Sequence, residues 1–205
     1  FPRIFDDRDM LITFAGFSQW GEQIYFEPWP TDETNLRLKK SKYKLYSVSA
    51  FEISENDTFY LLDQGSILEN NTIDPGTAKL VVVHPNRQLI RIYNFGNNET
   101  SDYINSFFTD MVIDFDKQYA YITDSGFPAN NITPSIIVLN LKTEKIHRIL
   151  QNNNLFMPDP ALALINNGTM INQSKIRAIG LNSIALTCDG ENIILSSLRS
   201  RNIFS

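Results

Sequence analysis

Five polar residues lie at the starts of three apolar segments of this sequence, where their side chains could do chemistry. They are Ser49, Thr109, Asp110, Asn182 and Ser183. Hydroxyl, carboxylate and amide groups of this kind orient a small ligand by hydrogen bonding. They can act together only if the fold brings the three segments to one place, so the elements that carry them decide whether a site exists.

Two of these residues, Asp110 and Asn182, also have the oxygen atoms that a hard cation such as Ca²⁺ prefers. Such an ion takes about six or more oxygen ligands, so further ligands would have to come from elsewhere. The sequence leaves two interpretations open, a bound Ca²⁺ and ordinary polar packing. Polar packing is the simpler of the two, and no other cofactor is expected.

Catalysis has weaker support. Asp63 and Asp124 each precede a glycine by two residues, and Asp114 closes a related segment. An aspartate before such a glycine accepts backbone hydrogen bonds in a tight turn, which favours a structural role over acid and base work. His84 and His147 fall outside the three segments, so no Ser-His-Asp triad is predicted and no catalytic residue is assigned.

The three segments are repeats of one unit. Each has an apolar strand, a short polar turn and a second strand that ends in a small or acidic residue. If Asp63, Asp124 and Ser197 are equivalent, the intervals are 61 and 73 residues. A second hairpin pattern, at residues 80–93, returns at residues 136–149. These spacings predict an all-β fold, a β-propeller with four-stranded antiparallel blades, whose innermost strands line a central channel and bring the polar residues together.

We expect residues 1–205 to form a single partial propeller domain. About three to four blades fit into this length. The remaining blades would belong to a longer polypeptide or to another chain, and open sheet edges would permit assembly. In chain order we expect a remnant blade that includes a strand at Met10–Phe14, two complete blades and the start of a further blade, at residues 1–30, 47–95, 107–150 and 180–205.

Composition restricts the partners. The formal net charge is −5, which disfavours a nucleic acid, because binding one requires many Lys and Arg contacts to phosphates. No apolar run reaches the roughly 20 residues that span a bilayer. The sequence therefore predicts neither a nucleic-acid partner nor a membrane span, and a small-molecule ligand or a protein partner remains.

Two features bear on the compartment. Six Asn-X-Ser/Thr sequons favour an extracellular glycoprotein. Against this, the single cysteine, Cys188, excludes an intrachain disulfide, and we expect it to be a buried thiol. The sequons begin at Asn56, Asn70, Asn98, Asn131, Asn167 and Asn172.

An ordered series of motifs resembles the yellow and major royal jelly protein family. The motifs are Ser47–Ile53, Phe59–Gly65, Lys79–Val82, Phe108–Asp114, Ala120–Gly126, Phe156–Pro160 and Gly180–Leu186. The resemblance implies a six-bladed propeller and an extracellular location. It also implies, for different members, dopachrome conversion or the binding of small amines in the central channel. The sequence departs from the usual pattern in lacking paired cysteines and in having Tyr60 where a Trp is common.

Three functional hypotheses follow. The first is a secreted, non-catalytic propeller that binds a small molecule or a protein. The second is a propeller enzyme, either a dopachrome-type isomerase or a metal-dependent lactonase, because residues 181–190 are similar to a strand of sugar-acid lactonases that hold a divalent cation. The third is a structural subunit of a larger assembly.

Overall fold

The computed structural model describes residues 12–35, 43–66, 73–96, 103, 105–126, 133–159, 165–167, 169–170, 180–197 and 203–205. The chain divides into two compact units, Phe1–Ile104 and Asn105–Ser205. Almost all of the regular structure is antiparallel β-sheet. The expectation of an all-β fold with antiparallel sheets is thus confirmed.

The first unit contains a hairpin, a short helix and a four-stranded sheet. Strands β1 (Ala15–Trp20) and β2 (Gln23–Pro28) form the hairpin, and helix α1 covers Asp32–Asn35. The first sheet follows the chain order, with strands β3 (Val48–Ile53), β4 (Phe59–Asp63), β5 (Lys79–Val83) and β6 (Leu89–Asn94).

The second unit contains two larger sheets and a two-stranded hairpin. The second sheet has strands β7 (Phe108–Asp114), β8 (Tyr119–Asp124), β9 (Ser135–Asn140) and β10 (Ile146–Ile149). After a 3-10 helix at Asn154–Phe156 come β11 (Ile165–Asn166) and β12 (Thr169–Met170), which pair with each other. The third sheet has strands β13 (Leu181–Leu186), β14 (Ile193–Ser197) and β15 (Ile203–Phe204).

Turn residues with left-handed backbone close the hairpins. Asp57 (φ 60°), Arg87 (φ 73°), Glu144 (φ 61°) and Gly190 (φ 69°) each donate a backbone N–H to the carbonyl three or four residues earlier. Because this conformation reverses the chain tightly, each polar turn that separates two apolar runs in the sequence becomes a hairpin.

Apolar side chains from successive elements form the cores. In the first unit, Leu61, Val81 and Val83 pack with Leu45 and Val48. The core of the second unit lies between the second and third sheets, where Ile136, Phe156, Leu181, Ile184 and Leu195 pack together. Strand β13 lies against β7 and β8. The first strands of these two sheets are therefore neighbours, and this places the site.

The expected strand at Met10–Phe14 is wrong where the structure describes it. Strand β1 begins at Ala15, and residues 12–14 are irregular. The side chain of Asn35 accepts the N–H groups of Thr13 (2.7 Å) and Phe14 (3.1 Å) and donates to the carbonyl of Trp29 (2.5 Å). The buried amide thus accepts the N–H groups of both residues, while the carbonyl of Phe14 accepts the backbone N–H of Trp29 at 3.0 Å.

Candidate functional site

A β-bulge recurs at the start of the first strand of each larger sheet. The pairing register shifts between Val48 and Ala50, between Phe108 and Asp110, and between Leu181 and Ser183. The extra residues are therefore Ser49, Thr109 and Asn182, three of the five residues that the sequence singled out. Bulges bend a strand and turn a side chain away from the regular pleat, and they are common next to binding sites.

The second unit brings four of the five candidate residues together. Thr109 and Asp110 lie on β7, and Asn182 and Ser183 lie on the neighbouring β13, all partly exposed. The fifth, Ser49, belongs to the first unit, where its hydroxyl donates to the carbonyl of Leu62 at 3.4 Å. The site described below is accordingly built from β7 and β13.

Hydrogen bonds fix the carboxylate of Asp110. Its Oδ1 accepts the backbone N–H of Met111 at 2.9 Å, and its Oδ2 accepts the N–H of Ile184 on β13 at 3.1 Å. A carboxylate oxygen has a second lone pair, so each oxygen can still accept a proton donor from a ligand. Asp110 is therefore both a junction between two sheets and a negative charge at a partly exposed position.

The groups around Asp110 are neutral and can both donate and accept. The side-chain amide of Asn182 donates to the hydroxyl of Ser183 at 3.1 Å. The hydroxyls of Thr109 and Thr123 are 2.9 Å apart. A single carboxylate among hydroxyls and an amide gives a site with one negative charge and several adjustable hydrogen bonds.

Among the described residues, the structure adds no candidate metal ligand to Asp110 and Asn182. Within those ranges, no group of three or more His, Cys, Asp or Glu side chains is placed to share an ion. Asp110 and Asn182 remain the two candidate ligands on adjacent strands. A Ca²⁺ site at this position stays a prediction.

The chain matches the model of a known protein family. The major royal jelly protein family covers residues 46–205, which include all three bulges and exclude β1, β2 and α1. This chain belongs to the major royal jelly protein family. The resemblance that the ordered motifs indicated is confirmed, and so is the propeller fold, since the sheets are the blades of that family's β-propeller. A search of curated proteins gave no match.

The acidic residues at the blade ends have structural partners. Asp63 accepts the N–H groups of Ser47 (2.8 Å) and Gly65 (3.1 Å), and Asp124 accepts those of Phe107 (2.8 Å) and Gly126 (2.9 Å). The prediction that these aspartates accept backbone hydrogen bonds in tight turns is confirmed. Each thus joins the start of its blade to the end of the second strand.

Sequence reasoning missed a buried cation beside each of these carboxylates. Lys79 Nζ lies 2.7 Å from Asp63 Oδ2, and Arg148 Nη1 lies 2.5 Å from Asp124 Oδ2. Arg148 also donates to Ser135 and Ser106, so its charge is well satisfied. A basic residue inside an otherwise apolar strand, as in Lys79–Val83, was the signal available in the sequence, because such a charge needs a partner when buried.

Asp114 ends β7 at the opposite end from the bulge. Its Oδ1 accepts the N–H of Lys117 at 2.8 Å, and the Lys117 ammonium lies 3.2 Å from its Oδ2. The backbone hydrogen bond from Lys117, together with the ammonium, lowers the pKa of Asp114 below its usual value, although burial opposes this. Lys117 also donates to the carbonyl of Gly190 in the turn after β13 (2.5 Å), which links the two blades at this end.

Cys188 and the sequons complete the predicted residues. The expectation of a buried thiol is wrong, because Cys188 lies exposed in the turn between β13 and β14. Asn56 and Asn167 are exposed in the turns of hairpins. The other four sequon residues, Asn70, Asn98, Asn131 and Asn172, lie outside the described residues. No helix in the described part of the chain is long and apolar enough to cross a membrane.

Proposed function

We propose that this member of the major royal jelly protein family is a secreted propeller that binds a small organic amine without transforming it. The observation that carries the proposal is the meeting of two bulges, which collects Thr109, Asp110, Asn182 and Ser183 on adjacent strands. A lone carboxylate among neutral groups suits a protonated amine, whose three N–H donors need acceptors and whose charge needs one counter-ion.

The amine interpretation agrees with the chemistry better than a metal does. A hard cation requires about six or more oxygen ligands, several of them charged. A protonated amine needs one carboxylate and two further acceptors, which hydroxyl and amide oxygens provide. Binding of small amines by other members of the family points the same way.

Titration calorimetry on the whole protein tests the proposal. We expect tyramine and dopamine to bind and catechol, which lacks the amine, to bind far more weakly. Asp110→Asn should weaken amine binding by about tenfold or more, because it removes the counter-charge and keeps the shape. Asp116→Asn makes the same change in net charge at an exposed turn residue and should leave the affinity unchanged.

Two results would overturn the proposal. One is the absence of heat for every amine tested, and the other is an Asp110→Asn affinity equal to that of the unmodified protein. Equal affinity for catechol and dopamine would remove the amine as the recognised group.

The enzymatic alternative, a metal-dependent lactonase or a dopachrome-type isomerase, is favoured by one observation. Asp110 and Asn182 lie on adjacent strands, at the ends where a cation of a propeller enzyme would be held. On this hypothesis Asp110→Ala and Asn182→Ala abolish turnover and metal content together. Retention of both by either variant would remove the alternative.

The structural alternative is supported by the β1–β2 hairpin. Phe17, Ile24 and Phe26 are exposed on one of its faces and Trp20 on the other. Exposed apolar patches of this kind mark interaction surfaces. Sedimentation velocity decides between the hypotheses, because a structural subunit sediments as a defined assembly at micromolar concentration and a ligand-binding monomer does not.

A further inference from the structure

Thr123 lies beneath the candidate site and contacts both bulges. Its side chain is fully buried on β8, opposite Asp110 in the pairing register. Its hydroxyl lies 2.9 Å from that of Thr109, 3.2 Å from the carbonyl of Asp110 and 3.3 Å from the carbonyl of Asn182. One side chain thus reaches three of the four site residues.

The single proton of the Thr123 hydroxyl limits which hydrogen bonds it can donate and accept. A threonine hydroxyl has one proton and two acceptor lone pairs. The carbonyls of Asp110 and Asn182 can only accept, so when Thr123 Oγ1 donates to either of them it can at the same time accept the proton of Thr109. Because the carbonyls of Asp110 and Asn182 belong to different blades, Thr123 links the two bulges, alongside the bonds of Ser125 to the Leu181 carbonyl and of Ile184 to Asp110.

The fold itself does not require a polar residue at this position. The corresponding residue of the first sheet is Leu62, which pairs with Ala50 after the bulge and is fully buried as well. An apolar side chain therefore fits the second strand of a blade at this point. Burying a hydroxyl costs free energy unless it is hydrogen-bonded. The presence of Thr123 at a position where Leu62 also fits therefore points to a role for its hydroxyl.

We propose that Thr123 is a positioning residue, which sets the spacing of the two bulges and thereby the geometry of the amine site. The inference rests on the proposed function for its ligand. The arrangement of the bulges can be measured without a ligand. The positioning role of Thr123 and the proposed amine binding can therefore fail separately.

The ligand-free arm compares Thr123→Val with Ser135→Ala by amide hydrogen exchange. Valine keeps the size of threonine and removes the hydroxyl. Ser135 is buried in the same unit, and its side chain has a hydrogen bond to Arg148 and none to Thr109, Asp110 or Asn182. The Ile184 amide is bonded to Asp110. We expect its exchange to accelerate by about tenfold in Thr123→Val and to stay unchanged in Ser135→Ala. The melting temperatures of both variants are measured as well, so that a general loss of stability can be told from a local opening at Ile184.

The ligand arm measures the dopamine affinity of the same variants and of Thr123→Ser. Thr123→Val should bind about tenfold more weakly. Thr123→Ser restores the hydroxyl and should restore the affinity, which a loss of packing would not do. Ser135→Ala should bind like the unmodified protein.

Each outcome decides a point. Equal exchange of Ile184 in Thr123→Val and Ser135→Ala, or unaltered dopamine affinity in Thr123→Val, overturns the inference. Failure of Thr123→Ser to restore binding also overturns it, because the hydroxyl would then not be the cause. If the unmodified protein binds no amine but Ile184 exchange responds as expected, the proposed function fails and the positioning of the bulges by Thr123 stands.

Discussion

The carboxylate of Asp110 on β7 accepts the backbone N–H of Ile184 on β13 at 3.1 Å. A residue selected from the sequence as a ligand contact thus also fastens one blade to the next. Two substitutions distinguish its roles, because Ala removes the charge and both acceptor oxygens, whereas Asn removes the charge and one acceptor.

Asp110→Ala should lower the free energy of unfolding by about 2 kcal/mol, since it removes a charged acceptor from two backbone N–H groups. Asp110→Asn keeps one acceptor oxygen, but its NH2 group cannot accept the second backbone N–H, so it should cost about 1 kcal/mol. Urea unfolding of both variants gives the comparison. Similar losses would mean that the charge, and not the hydrogen bonds, stabilises the junction.

Lys79→Met tests the buried ion pair. The variant leaves the fully buried Asp63 without its cation, and the expected cost is about 3 kcal/mol in unfolding free energy. The matched control is Arg87→Met, which breaks the exposed pair of Arg87 with Glu27 and should cost less than about 1 kcal/mol. If the two variants lose the same amount in urea unfolding, burial is not what makes the Asp63 pair important.

Gly65→Ala tests the turn that follows Asp63. Gly65 has φ +87°, and an added Cβ would lie 2.6 Å from Thr77 Oγ1 and 2.7 Å from the backbone N of Ala78. We expect a loss of about 3 kcal/mol or more, from backbone strain and the clash together. Gly76 has φ +79° with open space around it, so Gly76→Ala should cost only about 1 kcal/mol. Thermal unfolding that ranks the two variants in the opposite order would contradict the geometry.

Asp114 should make the free energy of unfolding depend on pH in the acidic range. Its pKa is lowered from 3.8 in the folded chain, chiefly by the Lys117 backbone hydrogen bond. The contribution to stability is therefore complete above the unfolded value of 3.8 and is lost as the pH falls through the lower folded pKa. In Asp114→Asn this part of the acid destabilisation should be missing. Urea unfolding at a series of pH values from 7 down to 2.5 measures it, and parallel curves for the two proteins would exclude Asp114 as a source.

Glycosylation tests secretion. When the protein is produced through a eukaryotic secretory pathway, we expect a glycan on Asn56, which is exposed in the turn between β3 and β4. Peptide mass mapping before and after enzymatic deglycosylation locates it, and Asn56→Gln removes the corresponding mass. Secreted protein that has no glycan at any of the six sequons would contradict the assignment of an extracellular glycoprotein.

The repeats in the sequence were enough to predict the strands, and the ordered motifs within them were enough to indicate the family. Apolar β-branched runs such as Val81–Val83 strongly favour strands, and turn-forming residues between the runs favour hairpins, so local preference and pattern agree. The same repetition placed Ser49, Thr109 and Asn182 at equivalent positions. It also predicted that Asp63 and Asp124 bind backbone N–H groups in the turns after them, because that preference is local.

Only the tertiary structure decided what depends on neighbours distant in sequence. Asn35 accepts the backbone N–H groups of residues 13 and 14, Lys79 and Arg148 neutralise buried carboxylates, and Thr123 joins the bulges of two blades. These contacts join residues that are 16 to 59 positions apart in the chain. The sequence can indicate that a buried charge such as Lys79 needs a partner, but the pairing and packing of the strands decide which residue that partner is. The bulges are also decided by the tertiary structure, because a bulge residue is one that has no partner on the neighbouring strand, and the sequence alone does not give that pairing.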